Sequence, residues 1–156
     1  MKAWWNAPAA SGKRETVSNI KKKSAPSGIE PGMLMRLLDS VILIDHLNGV
    51  GAAKKFVLAL NPEETAISVI TRAEILVGVD SEDEDLVKAF LEQFHLLIID
   101  KPIADLAAFL RKSEKLKLPD AFQAALCVYH KINLVTRNSK DFNPSKHKFV
   151  EIPYEI

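Results

Sequence analysis

Asp120 stands near the start of an almost wholly apolar helical stretch, Leu118-Pro119-Asp120-Ala121-Phe122-Gln123-Ala124-Ala125-Leu126-Cys127. A carboxylate there needs a partner: a helix N-terminus, a cation or solvent. Asp39 and Glu74 occupy comparable junctions between a strand and a helix. Brought together, such carboxylates repel one another unless a cation sits among them. Hard oxygen ligands suit Mg²⁺ or Mn²⁺ rather than zinc. A water on such an ion can be deprotonated for attack on a phosphodiester, and two ions about 3.5–4 Å apart would clamp the attacking and leaving oxygens together. The chemistry expected of the three acids is metal-assisted phosphodiester hydrolysis.

Other candidates fare poorly. His46, His95, His130 and His147 are far apart and lack metal-ligand spacing. His130 ends a helix, where a cation suits the dipole. Ser40 has no evident His–Asp partner for a serine nucleophile, and no Gly-rich phosphate loop follows a strand. Cys127, the single cysteine, reads as a packed core residue. Ser81 is expected to cap a helix with Glu82, Asp83, Glu84 and Asp85 in its first turn, on a solvated face.

The elements that must position the acids follow from apolar patterning. Arg36-Leu37-Leu38 reads as a buried strand ending at Asp39-Ser40, then a helix over Val41 to Leu47 stopped by Asn48-Gly49. A helix over Ala52 to Leu60 follows, then a strand at Ala66 to Val69 and a helix from Ile70 to Val79 with Ile70, Ala73 and Val77 toward the core. His95 to Ile99 is the next strand. Pro102 to about Lys117 is a long helix with Ile103, Leu106, Phe109 and Leu110 inward. The Asp120 helix, a strand at Asn133-Leu134-Val135, a polar loop and an edge strand at Lys148 to Ile152 complete the chain. Short buried strands alternating with helices predict an α/β fold with helices on both faces of a mostly parallel sheet. Ligands then sit beyond the carboxyl ends of the strands, where Asp39, Thr136 and Asn138 fall.

The 156 residues suffice for one domain, with 47% apolar and 26% charged side chains. No apolar run approaches the roughly 20 residues that span a bilayer. No apolar signal-peptide core follows Lys2. A single cysteine excludes an intrachain disulfide and fits a reducing cytoplasm. The net charge of +1 hides an asymmetry: residues 1–32 carry +4 and residues 33–156 carry −3. The Pro/Gly/Ser-containing segment 1–32 reads as a flexible basic leader, with a start at Met33 or Met35 as the competing reading. Its charge suggests that it lies along an acidic groove of its own or a neighbouring domain. The Trp4-Trp5 pair is suited to packing on a surface. An acidic domain does not bind nucleic acid through net charge, but a metal-dependent site must be acidic.

Four segments occur in order: Leu37-Leu38-Asp39-Ser40; Ile67-Ser68-Val69-Ile70-Thr71-Arg72-Ala73-Glu74; Leu118-Pro119-Asp120-Ala121; and Leu134-Val135-Thr136-Arg137-Asn138-Ser139-Lys140-Asp141-Phe142. Together they closely resemble the PIN domain and, within it, the VapC-type ribonuclease toxins, over about residues 35–152. The resemblance implies a PIN-like fold for residues 33–156. It implies that Asp39 and Asp120 hold the metal and that Glu74 binds metal or orients the water. Ser40 and Thr136 match hydroxyl positions near the site. Asn138 stands at the family's fourth acidic position, which weakens a second metal site. Asp141 is a further candidate, acting through water or capping the loop. Val41, in place of a small polar residue, removes one supporting hydrogen bond.

The resemblance further implies an RNA substrate, a cognate antitoxin, a homodimer covering the face of the Ala52–Leu60 helix, and no membrane association. A catalytically weak PIN-like module that binds RNA is the competing reading, motivated by Val41 and Asn138. An acid-cluster phosphatase is a more remote one, because no lysine and threonine arrangement accompanies Asp39.

Overall fold

The computed structural model describes residues 35–156. The expectations for residues 1–32 and for Trp4-Trp5 lie outside the described residues. Short apolar runs form the strands of one sheet: β1 (Arg36–Leu38), β2 (Thr65–Ser68), β3 (His95–Leu97), β4 (Asn133–Val135) and β5 (Val150–Glu151). Their order is β3-β2-β1-β4-β5, and every pairing is parallel. Leu38 is level with both Ile67 and Val135. Asp39, Ser68 and Thr136 therefore leave three adjacent strands at one height. Among the described strands, the first in sequence is the central one; the order then moves outward through β2 and β3 and returns to the other side at β4. That reversal opens a crevice between the carboxyl ends of β1 and β4, where α/β sheets bind ligands.

Six α-helices join the strands: α1 (Ser40–Leu47), α2 (Gly51–Leu58), α3 (Val69–Val77), α4 (Glu84–Leu91), α5 (Lys101–Glu114) and α6 (Leu118–His130). Alternation along the strands sends Leu37, Ala66, Leu97 and Leu134 to one face, against Ile103, Leu106 and Ala107 of α5 and Ala124 to Cys127 of α6. Leu38, Ile67 and Val135 go to the other, against Ile42 and Leu43 of α1, Val57 of α2, Ile75 of α3 and Leu91 of α4. Both faces are thus covered, as buried parallel strands require. Local caps set the helix starts. Asp39 Oδ1 accepts from Ser40 N at 2.8 Å, Ser68 Oγ from Thr71 N at 3.0 Å, and Asp100 Oδ1 from Ile103 N at 3.2 Å. Past the end of α1, Gly49 adopts φ +82°, a left-handed turn that glycine takes without the Cβ clash.

Several sequence expectations are corrected. The inward face of α3 is Thr71 and Ile75, while Ala73 is exposed and Val77 is 88% exposed. The cause is polar: Thr71 Oγ1 donates to the carbonyl of Leu38 at 3.1 Å, and this bond pins that face of α3 to the end of β1. In α5, Phe109 points outward at 51% exposure and Ala107 takes the inward place, because 103, 106, 107 and 110 form the helical stripe. Helix α4 begins at Glu84 rather than after Ser81. Asp83 stands at its N-cap without a side-chain capping bond, and the acidic run is largely solvated, as expected. At the end of α6, burial lowers the His130 pKa, the nearby Asp100 charge opposing it, which favours the neutral ring over the cation expected there. The strand and helix boundaries otherwise differ from the expected ones by a few residues, as fraying ends do.

Candidate active site

Asp39 is the best-held acid of the candidate set. It is 8% exposed, directly follows β1 and caps α1. Its backbone N–H donates to Val135 O at 2.9 Å, extending the sheet ladder by one residue. One carboxylate oxygen accepts from Ser40 N; the other accepts from Thr136 Oγ1 at 2.6 Å. Ser40 thus contributes its backbone N–H to Asp39, while Thr136 contributes its hydroxyl. Thr136, wholly buried, also accepts from Asn138 N at 3.0 Å and so shapes the loop after β4.

Asp39, Glu74, Asp120 and Asn138 line one pocket of about 280 Å³, with Ser40, Val41, Ile70, Pro119 and Gln123 completing it. Residues 70 and 74 are one turn apart on α3 and reach it together. Asp120 lies in the first turn of α6, where Lys117 offers no side-chain cap and the helix N-terminus favours a negative charge. Burial nonetheless pushes the Asp120 pKa up to about 6, and the charges of Asp39, Asp141 and Glu74 add to the rise against Lys117. The carboxylates therefore lie within electrostatic reach of one another.

Asn138 and Asp141 form a closed pair. Asn138 Nδ2 donates to Asp141 Oδ2 at 2.8 Å, and Asp141 N donates to Asn138 Oδ1 at 3.3 Å. Asp141 closes the loop through Asn138 and does not itself line the pocket. Its negative charge still reaches Asp120.

Two groups of polar residues escaped the sequence reading. Asp45, 7% exposed on α1, accepts two hydrogen bonds from Arg137, at 2.8 and 3.1 Å, and one from Tyr154 Oη at 3.0 Å. This network ties the loop carrying Asn138 to α1 and to the C-terminal segment. Its one local sign is a lone charge at the end of the apolar run Val41-Ile42-Leu43-Ile44. Beneath the pocket, Gln123 Nε2 donates to Thr71 Oγ1 at 2.8 Å, linking α6 to α3. Gln123 is the one polar side chain between Asp120 and Cys127, a signal that could have marked it.

The donor set suits a hard cation. Every polar side chain lining the pocket offers oxygen, and no histidine or cysteine lines it. The rise in Asp120 proton affinity reports an excess of negative charge that a cation would relieve. Among the described residues, no three His, Cys, Asp or Glu side chains form a ready-made cage. A Mg²⁺-type ion does not need one, since it keeps several waters and takes one or two carboxylates directly.

Comparison with known proteins agrees with this arrangement. The PIN domain family matches residues 36–143. Ribonuclease VapC19 of Mycobacterium tuberculosis is 30% identical over 115 residues, covering 69% of this chain and 92% of the relative. Among solved structures, a toxin-antitoxin complex from Klebsiella pneumoniae superposes with a TM-score of 0.72 at 39% identity, covering 78% of this chain and 99% of that one. DNA-bound VapBC from Salmonella typhimurium, at 20% identity and a TM-score of 0.67, shares the fold over 78% of this chain and 100% of its own. The parallel sheet, the acid-lined pocket at its carboxyl edge and these matches together place the chain in the PIN domain family, among relatives of the VapC ribonucleases.

Proposed function

We propose that this protein is an endoribonuclease toxin of a toxin–antitoxin pair, hydrolysing RNA phosphodiester bonds with Mg²⁺ or Mn²⁺. The observation that carries the reading is the convergence of Asp39, Glu74, Asp120 and Asn138 on one pocket at the switch point of the sheet. Asp39 and Asp120 would hold the ion, and Glu74, exposed at the rim, would bind it or orient the water. When bound, a divalent ion supplies Lewis acidity at a phosphoryl oxygen and a water of lowered pKa. The chain's own residues supply placement. Thr136 and the Ser40 N–H fix the Asp39 carboxylate, leaving its remaining lone pairs for the pocket. Asp120 must be ionised to serve, which its pKa of about 6 allows at neutral pH. Asn138, clamped by Asp141, takes part through the shape of its loop, with the Asp141 charge behind it.

The Klebsiella relative was solved as a toxin-antitoxin complex, and a cognate antitoxin partner is proposed here on that likeness. A homodimer and a cytoplasmic location complete the proposal. No described helix is long and apolar enough to cross a membrane. The exposed side of α2 carries Leu58, 79% exposed, beside Lys54 and Lys55, and is the proposed dimer face. The +4 charge of residues 1–32 supports their lying along an acidic groove; deleting them is expected to raise nuclease activity or change the oligomeric size.

The test is cleavage of labelled total RNA by the purified chain, with Mg²⁺ or Mn²⁺ against EDTA, beside Asp120→Asn. Metal-dependent products lost in the variant are expected. Metal binding without cleavage of any RNA would instead favour the weakly catalytic RNA-binding module.

A further inference from the structure

Gln123 lines the pocket and carries an unsatisfied atom. Its side chain is 2% exposed and lines the space shared by Asp39, Glu74 and Asp120. The Nε2 group is used, donating to Thr71 Oγ1 at 2.8 Å. That assignment of the amide is fixed by its neighbour. The Thr71 hydroxyl proton goes to the carbonyl of Leu38 at 3.1 Å, so Thr71 offers Gln123 only an acceptor. Oε1 is left buried with no hydrogen-bond partner. Such an atom leaves its lost hydration uncompensated unless a donor arrives.

The polar side chains that line the pocket with Gln123 are mainly acceptors. Asp39, Glu74 and Asp120 offer no donor when ionised, and the Asn138 Nδ2 gives one of its two hydrogens to Asp141, while none of the lining donors bonds Oε1. Asp120 and Gln123 are three residues apart on α6 and hence share one of its faces. A hydrated divalent cation held by the acids would bring water O–H groups, donors of the kind that Oε1 is without. Resting on the metal-dependent reading above, we propose that Gln123 is a positioning residue: its buried Oε1 accepts a hydrogen bond from a water in the hydration shell of the ion held by Asp39 and Asp120. The Thr71–Leu38 link decides that Nε2 meets Thr71 and leaves Oε1 as the free acceptor.

The test is Mn²⁺ binding to the full chain, read from the free-ion EPR signal, with no RNA present. Gln123→Met keeps the volume and removes the acceptor. Gln123→Glu keeps an oxygen acceptor and adds charge while losing the donor to Thr71. Mn²⁺ affinity about 10-fold weaker in the Met variant and at least as tight as wild type in the Glu variant is the expected result. Rescue by Glu separates a role at the ion from a merely structural one, since Glu cannot donate to Thr71 any more than Met can. Wild-type affinity in the Met variant would overturn the proposal, as would equal weakening in both. If the Met variant does not fold, Gln123→Leu takes its place under the same criteria. Wild-type protein that binds no Mn²⁺, or binds it as well with Asp39→Asn, would instead refute the metal-dependent reading itself.

Discussion

Thr136 donates its hydroxyl hydrogen to Asp39 over 2.6 Å, joining residues 97 positions apart at the carboxyl ends of β4 and β1. The bond is charge-assisted and wholly internal, so it orients the carboxylate as well as stabilising the sheet edge. Thr136→Val preserves shape and removes the donor. The expected outcome is a loss of about 1–3 kcal/mol in urea unfolding and roughly 10-fold weaker Mn²⁺ binding by calorimetry. Unchanged metal affinity would mean that Asp39 needs no such support.

Asp39→Asn and Asp120→Asn are expected to reduce metal-dependent RNA cleavage by at least about 100-fold, since each removes a charge that holds the ion. Both variants should remain folded by circular dichroism. Glu74→Gln acts at an exposed position and should lower cleavage with no measurable change in thermal midpoint. Full activity in the two aspartate variants would exclude the proposed site.

The pH dependence follows from Asp120. Its folded pKa of about 6 lies above its ordinary 3.8, so the folded chain binds this proton more tightly than the unfolded chain does. The stability from this group is therefore fully present below pH 3.8 and is lost as pH rises through about 6. Without metal, Asp120→Asn should exceed wild type by about 1–2 kcal/mol at pH 7.5, allowing for solvent screening at a half-buried site. That difference should shrink toward zero near pH 4, measured by urea unfolding across the range. Mn²⁺ affinity should fall as the pH is lowered through about 6, where protons compete for the same carboxylate.

Arg137→Met leaves Asp45 buried with only Tyr154 as a partner. Removing one member of a buried pair is costly, and about 2–4 kcal/mol is expected here in chemical denaturation. Adding Asp45→Asn should recover part of that loss, because the stranded charge disappears. Additive losses in the double mutant would show that the pair is not coupled. Cleavage should fall in Arg137→Met beyond what the unfolded fraction explains, since the loop carrying Asn138 loses its tether.

The strand at Arg36–Leu38 and the strand at Asn133–Val135 were legible residue for residue, because apolar runs closed by capping or turn residues are local signals. Asp39, directly after β1, and Asp120, in the first turn of α6, were legible for the same reason, since a charge beside an apolar run is conspicuous; Glu74, exposed within α3 rather than at a strand-to-helix junction, was marked by the segment around it. The orientation of the helices was not. Val77 and Phe109 look like core residues by composition, yet which stripe turns inward depends on what the helix meets, and for α3 that is the Leu38 carbonyl.

By itself, the sequence determined the alternation of elements and hence the parallel sheet, together with the acids that its carboxyl edge would carry. The tertiary structure alone decided that Thr136 holds Asp39, that Asp45, Arg137 and Tyr154 tie three distant segments together, and that Asp141 clamps Asn138 without entering the pocket. It also left one oxygen of Gln123 without a donor. Hydrogen bonds between residues far apart in the chain have no period and no local composition. They exist only once burial has removed the competing water and the fold has brought donor and acceptor within about 3 Å.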